Sequence, residues 1–265
     1  MPIIFRKTYI YTVRQGDTLY AISRRLNSSV EEILKINHLF PPVTDPGFIH
    51  PGNVLLVTTP INSGKVSYII PFGDNINRIS YKFGTFPDLL SGVNRVVNPN
   101  LIYPNQQLQV PAFIYEIQVN DTLATISQKF GIPMIAIVTA NQGRPGFQPD
   151  LIWPGHHLII PMPTSRNIVV WLPHPGSSIK SGQTIDGQAR SFEANVLHQV
   201  RDFNGIIVSN ERFTTASEGA PAYGNFTSTL PFDHKPTTNL GELWVYTRSA
   251  NDGSIQDLVR TLVVF

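Results

Sequence analysis

Gly16-Asp17-Thr18-Leu19 decides the fold, because the chain says nearly the same thing twice more, as Gly73-Asp74-Asn75-Ile76 and Asn120-Asp121-Thr122-Leu123. Each copy follows a short strand-like run and opens a helix-like one. Each Asp is followed twenty positions later by an Asn: Asp17 by Asn37, Asp74 by Asn94, Asp121 by Asn141. Internal repetition outranks local propensity as a guide to fold, and here it governs roughly the first 160 residues.

Outward from each Asp the pattern is regular. Six and four positions before it stand Tyr11 and Val13, Tyr68 and Ile70, Tyr115 and Ile117. That period of two predicts a short strand with one buried face. Two, five and nine positions after it stand Leu19, Ile22 and Leu26; Ile76, Ile79 and Phe83; Leu123, Ile126 and Phe130. Those offsets approximate one apolar helical face. The Asp or its neighbour (Thr18, Asn75, Thr122) supplies the oxygen that caps the first helical turn. Asn27, Gly84 and Gly131, ten positions on, suit a left-handed helix stop.

A second helix follows, with Ser28 and Thr85 as its expected caps and Pro133 at its first turn in the third copy. It ends near the recurrent Asn. A Pro-rich loop leads to a closing phrase, Ile49-His50-Pro51-Gly52, Ile102-Tyr103-Pro104-Asn105 or Ile152-Trp153-Pro154-Gly155, and then to a last apolar strand. Each unit reads as strand–helix–helix–strand with a small core, its two helices packed on a two-stranded sheet.

Taken together, Tyr-x-Val, Gly-Asp-Thr-Leu, a helix ending in Asn, Ile-x-Pro-Gly and a final strand resemble the LysM domain. The expected boundaries are residues 8–60, 66–112 for a degenerate second copy, and 113–163. The resemblance implies binding of N-acetylglucosamine polymers, peptidoglycan or chitin, in a shallow groove between the strand-to-helix loop and the closing loop. Position by position, it implies Gly16, Asp17, Thr18 and Leu19 facing Phe48, Ile49, His50 and Pro51. In the second copy Gly73, Asp74, Asn75 and Ile76 face Leu101, Ile102, Tyr103 and Pro104; in the third Asn120, Asp121, Thr122 and Leu123 face Leu151, Ile152, Trp153 and Pro154. Backbone N–H and C=O groups can pair with an acetamido group while apolar side chains cover its methyl and ring face. The bland alternative is that the Asp residues cap helices, the recurrent Asn residues fix loops and the Tyr residues pack. Asn75 and Asn105 depart from the usual Thr and Gly, and Asn120 from the usual Gly. The first copy therefore ranks first as a binder, and the second ranks first as a structural unit.

After Pro161–Asn167 the texture changes to short β-type runs broken by Gly, Pro and Asn. They are 168–171, 196–203, 206–208, 243–246 and 258–265. Asn204-Gly205 is a hairpin signal and Asp252-Gly253 a weaker one. This predicts an antiparallel sandwich of immunoglobulin type over 168–265. Pro173-x-Pro175-Gly176-Ser177, Gly187-x-Ala189-Arg190-x-Phe192-Glu193, Tyr223-Gly224-x-Phe226 and Ser249-x-x-Asp252-Gly253-Ser254 resemble the immunoglobulin-like Gmad2 domain of bacterial sporulation and germination. That implies a spore-forming source and a spore-envelope protein partner. Glu193 reads as a buried loop-holding residue, or else as part of a partner site. The fold class is thus α+β and all-β multidomain: three small βααβ repeats, then an antiparallel β-sandwich.

Composition narrows the function. With no cysteine, disulfides, thiolate metal sites and cysteine nucleophiles are excluded. A net charge of +2 without like-charge runs argues against nucleic acid. No apolar run is long enough for a bilayer span. Met1-Pro2-Ile3-Ile4-Phe5-Arg6-Lys7 lacks the apolar core of a signal peptide. Either such a segment has been removed, or the chain is made in a cytosol and bypasses the general secretion route. Adjacent Glu31-Glu32 cannot flank one substrate, tandem His156-His157 should point to opposite faces, and no Gly-x-Ser-x-Gly elbow or phosphate loop occurs. The expectation is a binding protein, not an enzyme, without cofactor or metal, on the cell wall or spore envelope. The rival is a spore-envelope assembly protein acting mainly through protein–protein contacts.

Overall fold

The computed structural model describes residues 2–265. The chain forms two compact units. One holds the chain up to Phe83, Asn100–Gln128 and Ile132–Pro161; the other holds Gly84–Pro99, Lys129–Gly131 and Met162–Phe265.

In the first unit, β1 (Arg6–Thr12), α1 (Leu19–Arg25), α2 (Val30–Ile36) and β2 (Val54–Asn62) make the first repeat. Tyr9, Tyr11, Ile22, Ile33, Leu55 and Val57 form its core, as the two periodicities require. The second repeat adds β3 (Val66–Ile69), α3 (Ile76–Lys82) and β4 (Gln107–Gln109). The third contributes β5 (Ala112–Glu116), α5 (Leu123–Phe130), α6 (Met134–Asn141) and β6 (His157–Pro161).

Two expectations need correction. Repeats 1 and 2 do not keep separate two-stranded sheets: β1 pairs in parallel with β3, giving one four-stranded sheet in the order β2-β1-β3-β4. Only β5-β6 stays a two-stranded sheet. The strand face expected to be exposed is therefore buried as well, from Thr8 through Tyr11 in β1. The parallel pairing begins at the end of the linker, where Lys65 O accepts the Thr8 N–H at 3.0 Å.

The expected left-handed stops hold, with φ of 53° at Asn27, 59° at Gly84 and 64° at Gly131. The second-helix caps shift. Ser29, not Ser28, accepts the Glu32 N–H at 3.1 Å. Pro133 sits one residue before α6 rather than inside it. In the second unit, α4 (Pro87–Val93) has no side-chain cap, because its N-cap residue is Phe86, which has no acceptor; Thr85, the expected cap, bonds Thr164 instead.

The recurrent Asn residues are structural. Asn37 is fully buried; its amide donates to Ile33 O at 2.9 Å and Leu56 O at 2.7 Å, and its oxygen accepts from Leu56 N at 2.8 Å. Asn141 repeats the pattern on Ile137 and Ile159. One side chain thus fastens a helix end to the closing strand by satisfying buried backbone groups. Asn94 likewise donates to Leu90 O at 2.8 Å.

Repeats 1 and 3 touch directly. The Val54 N–H bonds Gly143 O at 2.8 Å, and Ile4 N bonds Ile114 O at 3.0 Å. Arg144, 4% exposed, donates to His157 O, to Asn141 Oδ1 at 3.3 Å and to Asn37 Oδ1 at 3.4 Å, so one guanidinium links both recurrent Asn residues. Burial lowers its pKa to about 9, which still leaves it charged at neutral pH.

The second unit is the sandwich, with α4 packed on it. One sheet has the order β11-β10-β13-β14-β8 and the other β12-β9-β7. The strands are β7 (Ile168–Leu172), β8 (Ser177–Ser178), β9 (Gln183–Ala189), β10 (Asn195–Asp202), β11 (Ile207–Thr215), β12 (Gly224–Leu230), β13 (Leu240–Arg248) and β14 (Ile255–Val264). Both expected turns are present: Gly205 stands at φ 82° between β10 and β11, and Gly253 at φ 70° between β13 and β14. Inward residues including Ile168, Val196, Phe226, Leu243 and Val263 fill the core. Glu193 is exposed, at φ 55°, so the buried loop-holding role is corrected. Leu89 of α4 packs with Val169 and Tyr223. A Cβ on Gly92 would come within 2.1 Å of the Tyr223 ring, so only glycine admits that ring against α4. No single helix among the described residues is long and apolar enough to cross a membrane.

Candidate functional site

The strand-to-helix loop and the closing loop of each repeat are joined by one pair of main-chain bonds. In repeat 1, Gly52 N donates to Val13 O and Val13 N to Asn53 O, both at 2.8 Å. In repeat 2, Asn105 N donates to Ile70 O at 2.9 Å and Ile70 N to Gln106 O at 3.0 Å; in repeat 3, Gly155 N donates to Ile117 O and Ile117 N to His156 O at 2.8 Å. The two segments that the sequence pairs therefore spring from a single strand end in all three copies.

The turns keep their left-handed corners despite the substitutions. Gly16, Gly73 and Asn120 have φ of 82°, 82° and 69°; Gly52, Asn105 and Gly155 have 92°, 73° and 81°. Asparagine is the best non-glycine occupant of that region, which explains why Asn105 and Asn120 preserve the shape.

The helix caps are Thr18, Asn75 and Thr122, accepting from Ala21 N, Arg78 N and Thr125 N at 3.1, 3.0 and 3.1 Å. The preceding Asp residues, expected as caps, do something else. Asp17 accepts the Tyr11 hydroxyl and, at 2.9 Å, the Arg14 N–H. Asp121 accepts the Tyr115 hydroxyl and, at 2.8 Å, the Gln118 N–H; Asp74 accepts the Tyr68 hydroxyl at 2.7 Å. Each carboxylate clasps the strand to the turn, so it is occupied by the fold. Burial alone would raise the Asp17 pKa, but the Tyr11 hydroxyl, the Arg14 N–H and nearby Arg25 outweigh it and hold the carboxyl below its ordinary value. Burial, reinforced by the carboxylate, raises all three tyrosines.

The other expected site residues divide by exposure. Ile76 and Leu123 are core, so only their backbone borders the cleft; Leu19 and Ile49 are half-buried against the repeat 1 core. Ile102, Ile152 and Trp153 are half-buried. Phe48 is 65% exposed and Tyr103 63%, and His50, Pro51, Leu101, Pro104, Leu151 and Pro154 are also exposed.

The position four residues after each Asp, which sequence reading passed over, sets the copies apart. In repeat 2 it is Arg78, whose guanidinium donates to Gly73 O at 3.2 Å. In repeat 3 it is Thr125, whose hydroxyl donates to Thr122 O at 3.0 Å. In repeat 1 it is Ala21, which has no donor to place there. Gly16 and Gly52, like Gly73 of repeat 2, have open space where a Cβ would lie, whereas Gly155 abuts His38 of repeat 1, whose ring would be 3.4 Å from such an atom. The signal was present in the sequence as Ala, Arg and Thr at one repeat position.

The LysM family model matches residues 11–58, 68–111 and 115–161, just over half of the chain, and the Gmad2 model, described as the immunoglobulin-like domain of bacterial spore germination, matches 167–254. The chain belongs to the LysM family, with three LysM domains followed by a Gmad2 domain. Among relatives, N-acetylmuramoyl-L-alanine amidase sle1 of Staphylococcus epidermidis is 27% identical over 174 residues, which are 57% of this chain and 50% of that protein. The sle1 amidase of Staphylococcus aureus strain USA300 is 25% identical over 190 residues, 59% of this chain and 54% of that one. The chain thus spans about half the length of the curated relatives it matches. The crystal structure of the Bacillus cereus spore cortex-lytic enzyme SleL is similar over 39% of this chain and 22% of that one, at 33% identity and a TM-score of 0.30. Both families matched in this chain are binding or accessory types.

Proposed function

We propose that this chain is a non-catalytic binding protein that docks on N-acetylglucosamine-containing glycan, the peptidoglycan of cell wall or spore cortex, in sporulation or germination. The observation that carries this is the same two-loop cleft built three times from one main-chain hydrogen-bond pair. A shallow cleft edged with backbone polar groups and a few exposed apolar side chains suits a sugar's acetamido group and ring face. The amidase names of the relatives fit a wall polymer as the shared ligand, and the Gmad2 description fits a spore setting.

Repeat 1 leads, through Gly16–Leu19 and Phe48–Pro51, because Ala21 places no donor on a backbone carbonyl of its turn, as Arg78 and Thr125 do in the other copies. Each cleft is weak alone. The contacts between repeats 1 and 3 fix them relative to each other, so simultaneous engagement raises apparent affinity without further ordering. Repeat 2 serves mainly as structure, since its sheet is merged with that of repeat 1 and its α4 packs on the sandwich. That merging is also what favours the second reading, an assembly protein of the spore envelope whose repeats mainly hold protein together.

Calorimetric titration with chitohexaose and with purified peptidoglycan glycan fragments separates the two. Saturable binding that disappears in Thr18→Trp/Thr122→Trp, with the fold retained, is the expected result. No heat from either ligand at millimolar concentration would leave the assembly reading standing alone.

A further inference from the structure

The sandwich carries a surface that the glycan clefts do not use. On the five-stranded sheet, Val196, Val200, Leu243, Val245, Val259 and Val263 point into the core. The alternate residues form the outer face. There, cross-strand register sets Gln199 beside Trp244 and Trp244 beside Arg260, and sets Leu197 beside Tyr246 and Phe213. The Arg201 guanidinium lies 4.4 Å from the centroid of the Trp244 indole and that of Arg260 4.7 Å from it. Arg201 Nε donates to Gln199 Oε1 at 2.7 Å, and the indole N–H donates to Glu242 at 2.7 Å, so both planar groups are held in place.

The charge on this face is unfinished. Arg212 and Arg248 on the same strands have carboxylate partners, Asp233 and Glu211. Among the described residues, Arg201 and Arg260 form no ion pair; Glu242, opposite Arg201, accepts the indole N–H and supplies one carboxylate against the two guanidiniums. Phe213 is 73% exposed and Arg260 is exposed. No lysine occurs on β10, β11, β13 or β14. Tyr246 is buried beneath this face, and what it exposes, tryptophan, phenylalanine and arginine without lysine, is the composition of the central part of protein–protein interfaces. A guanidinium already stacked on an indole loses little freedom when it forks onto a carboxylate. Gly131 lies against Leu262, which bounds the face at one end.

We propose that this outer face, centred on Arg201, Trp244 and Arg260, docks an acidic, aromatic- or aliphatic-bearing segment of a protein partner. The carboxylates of that segment complete the two unpaired guanidiniums, and its apolar residue packs beside Trp244 and Phe213.

The test is selection of a random linear peptide library on the intact chain, followed by fluorescence anisotropy with the recovered peptides. Expected are peptides enriched in Asp and Glu beside an apolar residue, whose binding falls about tenfold or more in Arg201→Gln/Arg260→Gln and in Phe213→Ser. The melting temperature should stay at that of the parent. Recovered peptides without acidic enrichment, or peptides that bind the double variant equally well, would overturn the proposal. So would failure to recover any peptide. Binding of polyphosphate or of phosphatidylglycerol vesicles that exceeds peptide binding and is lost in the double variant would overturn it too, in favour of a polyanion surface.

Discussion

Repeats 1 and 2 lie in one sheet, have the same capped turn and the same loop-to-strand bonds, and still offer different clefts. In repeat 1 the residue after the first exposed helical position is Ala21, and the Gly16 corner is left open. In repeat 2 Arg78 reaches back to Gly73 O, and the corner is already hydrogen-bonded. The Asn-for-Thr and Asn-for-Gly changes that look like decay leave the cap and the corner intact; a side chain that breaks no motif is what takes up a carbonyl of the turn. A backbone plan can therefore be copied faithfully while one substitution beside it changes the hydrogen bonding of the turn.

Acid should separate the two repeats most strongly. His38, His156 and His157 gather around Arg144 where repeats 1 and 3 meet, while repeat 2 has no histidine. Burial, then Arg144, pushes His156 down to about 2 and His157 to about 3. Burial also lowers His38, against a bond to Gly155 that raises it. Lys35 adds to the positive surroundings of His157. These histidines stay neutral when folded but take up protons below about 6.5 when unfolded. Their contribution to stability is thus complete above about 6.5 and is lost as pH falls towards their folded values. Chemical denaturation from pH 7 to pH 4 should show a loss of several kcal/mol on this linkage. Hydrogen exchange should rise first in repeats 1 and 3.

Asn37→Ala comes next. It leaves the Leu56 carbonyl and N–H buried without the Asn37 side chain, while the Ile33 carbonyl keeps the backbone N–H of residue 37, for a loss of about 2–4 kcal/mol in urea denaturation. Asn94→Ala, at a half-buried site, should cost less. Gly92→Ala should destabilise the second unit by about 1–3 kcal/mol through its clash with Tyr223, seen as a lower melting temperature. The smallest effects fall on the cleft itself. Ala21→Arg should weaken chitohexaose binding about threefold and Arg78→Ala strengthen it slightly, as expected for one exposed hydrogen bond near the low end of its range.

Much of this was legible in the sequence. The three repeats, their order of elements, the left-handed stops at Asn27, Gly84 and Gly131, and the hairpin at Asn204-Gly205 follow from local chemistry and were readable from it. The merged sheet was not, because parallel pairing of β1 with β3 is a long-range choice that leaves no local mark. Strands β9 and β12 escaped because Gln183–Ala189 and Gly224–Leu230 carry few apolar residues; Gly187 is there because a Cβ would lie 2.4 Å from Val169 O. The sequence offers either the Asp or its neighbour as the cap, and the neighbour caps; the partner of the Asp, the Tyr six positions earlier, reads as packing alone. For the site, the sequence pairs loops that do lie at one strand end, but does not show which side chains are core, as Ile76 and Leu123 are, or which bond a turn carbonyl, as Arg78 does.

The most direct measurement is amide chemical-shift mapping of the intact chain during titration with chitohexaose. The account predicts shifts concentrated at Gly16–Leu19 and Phe48–Asn53, weaker ones at Asn120–Leu123 and Leu151–Pro154, and little at Gly73–Ile76. Shifts that favour repeat 2, or none in any of the three clefts at saturating ligand, would contradict it.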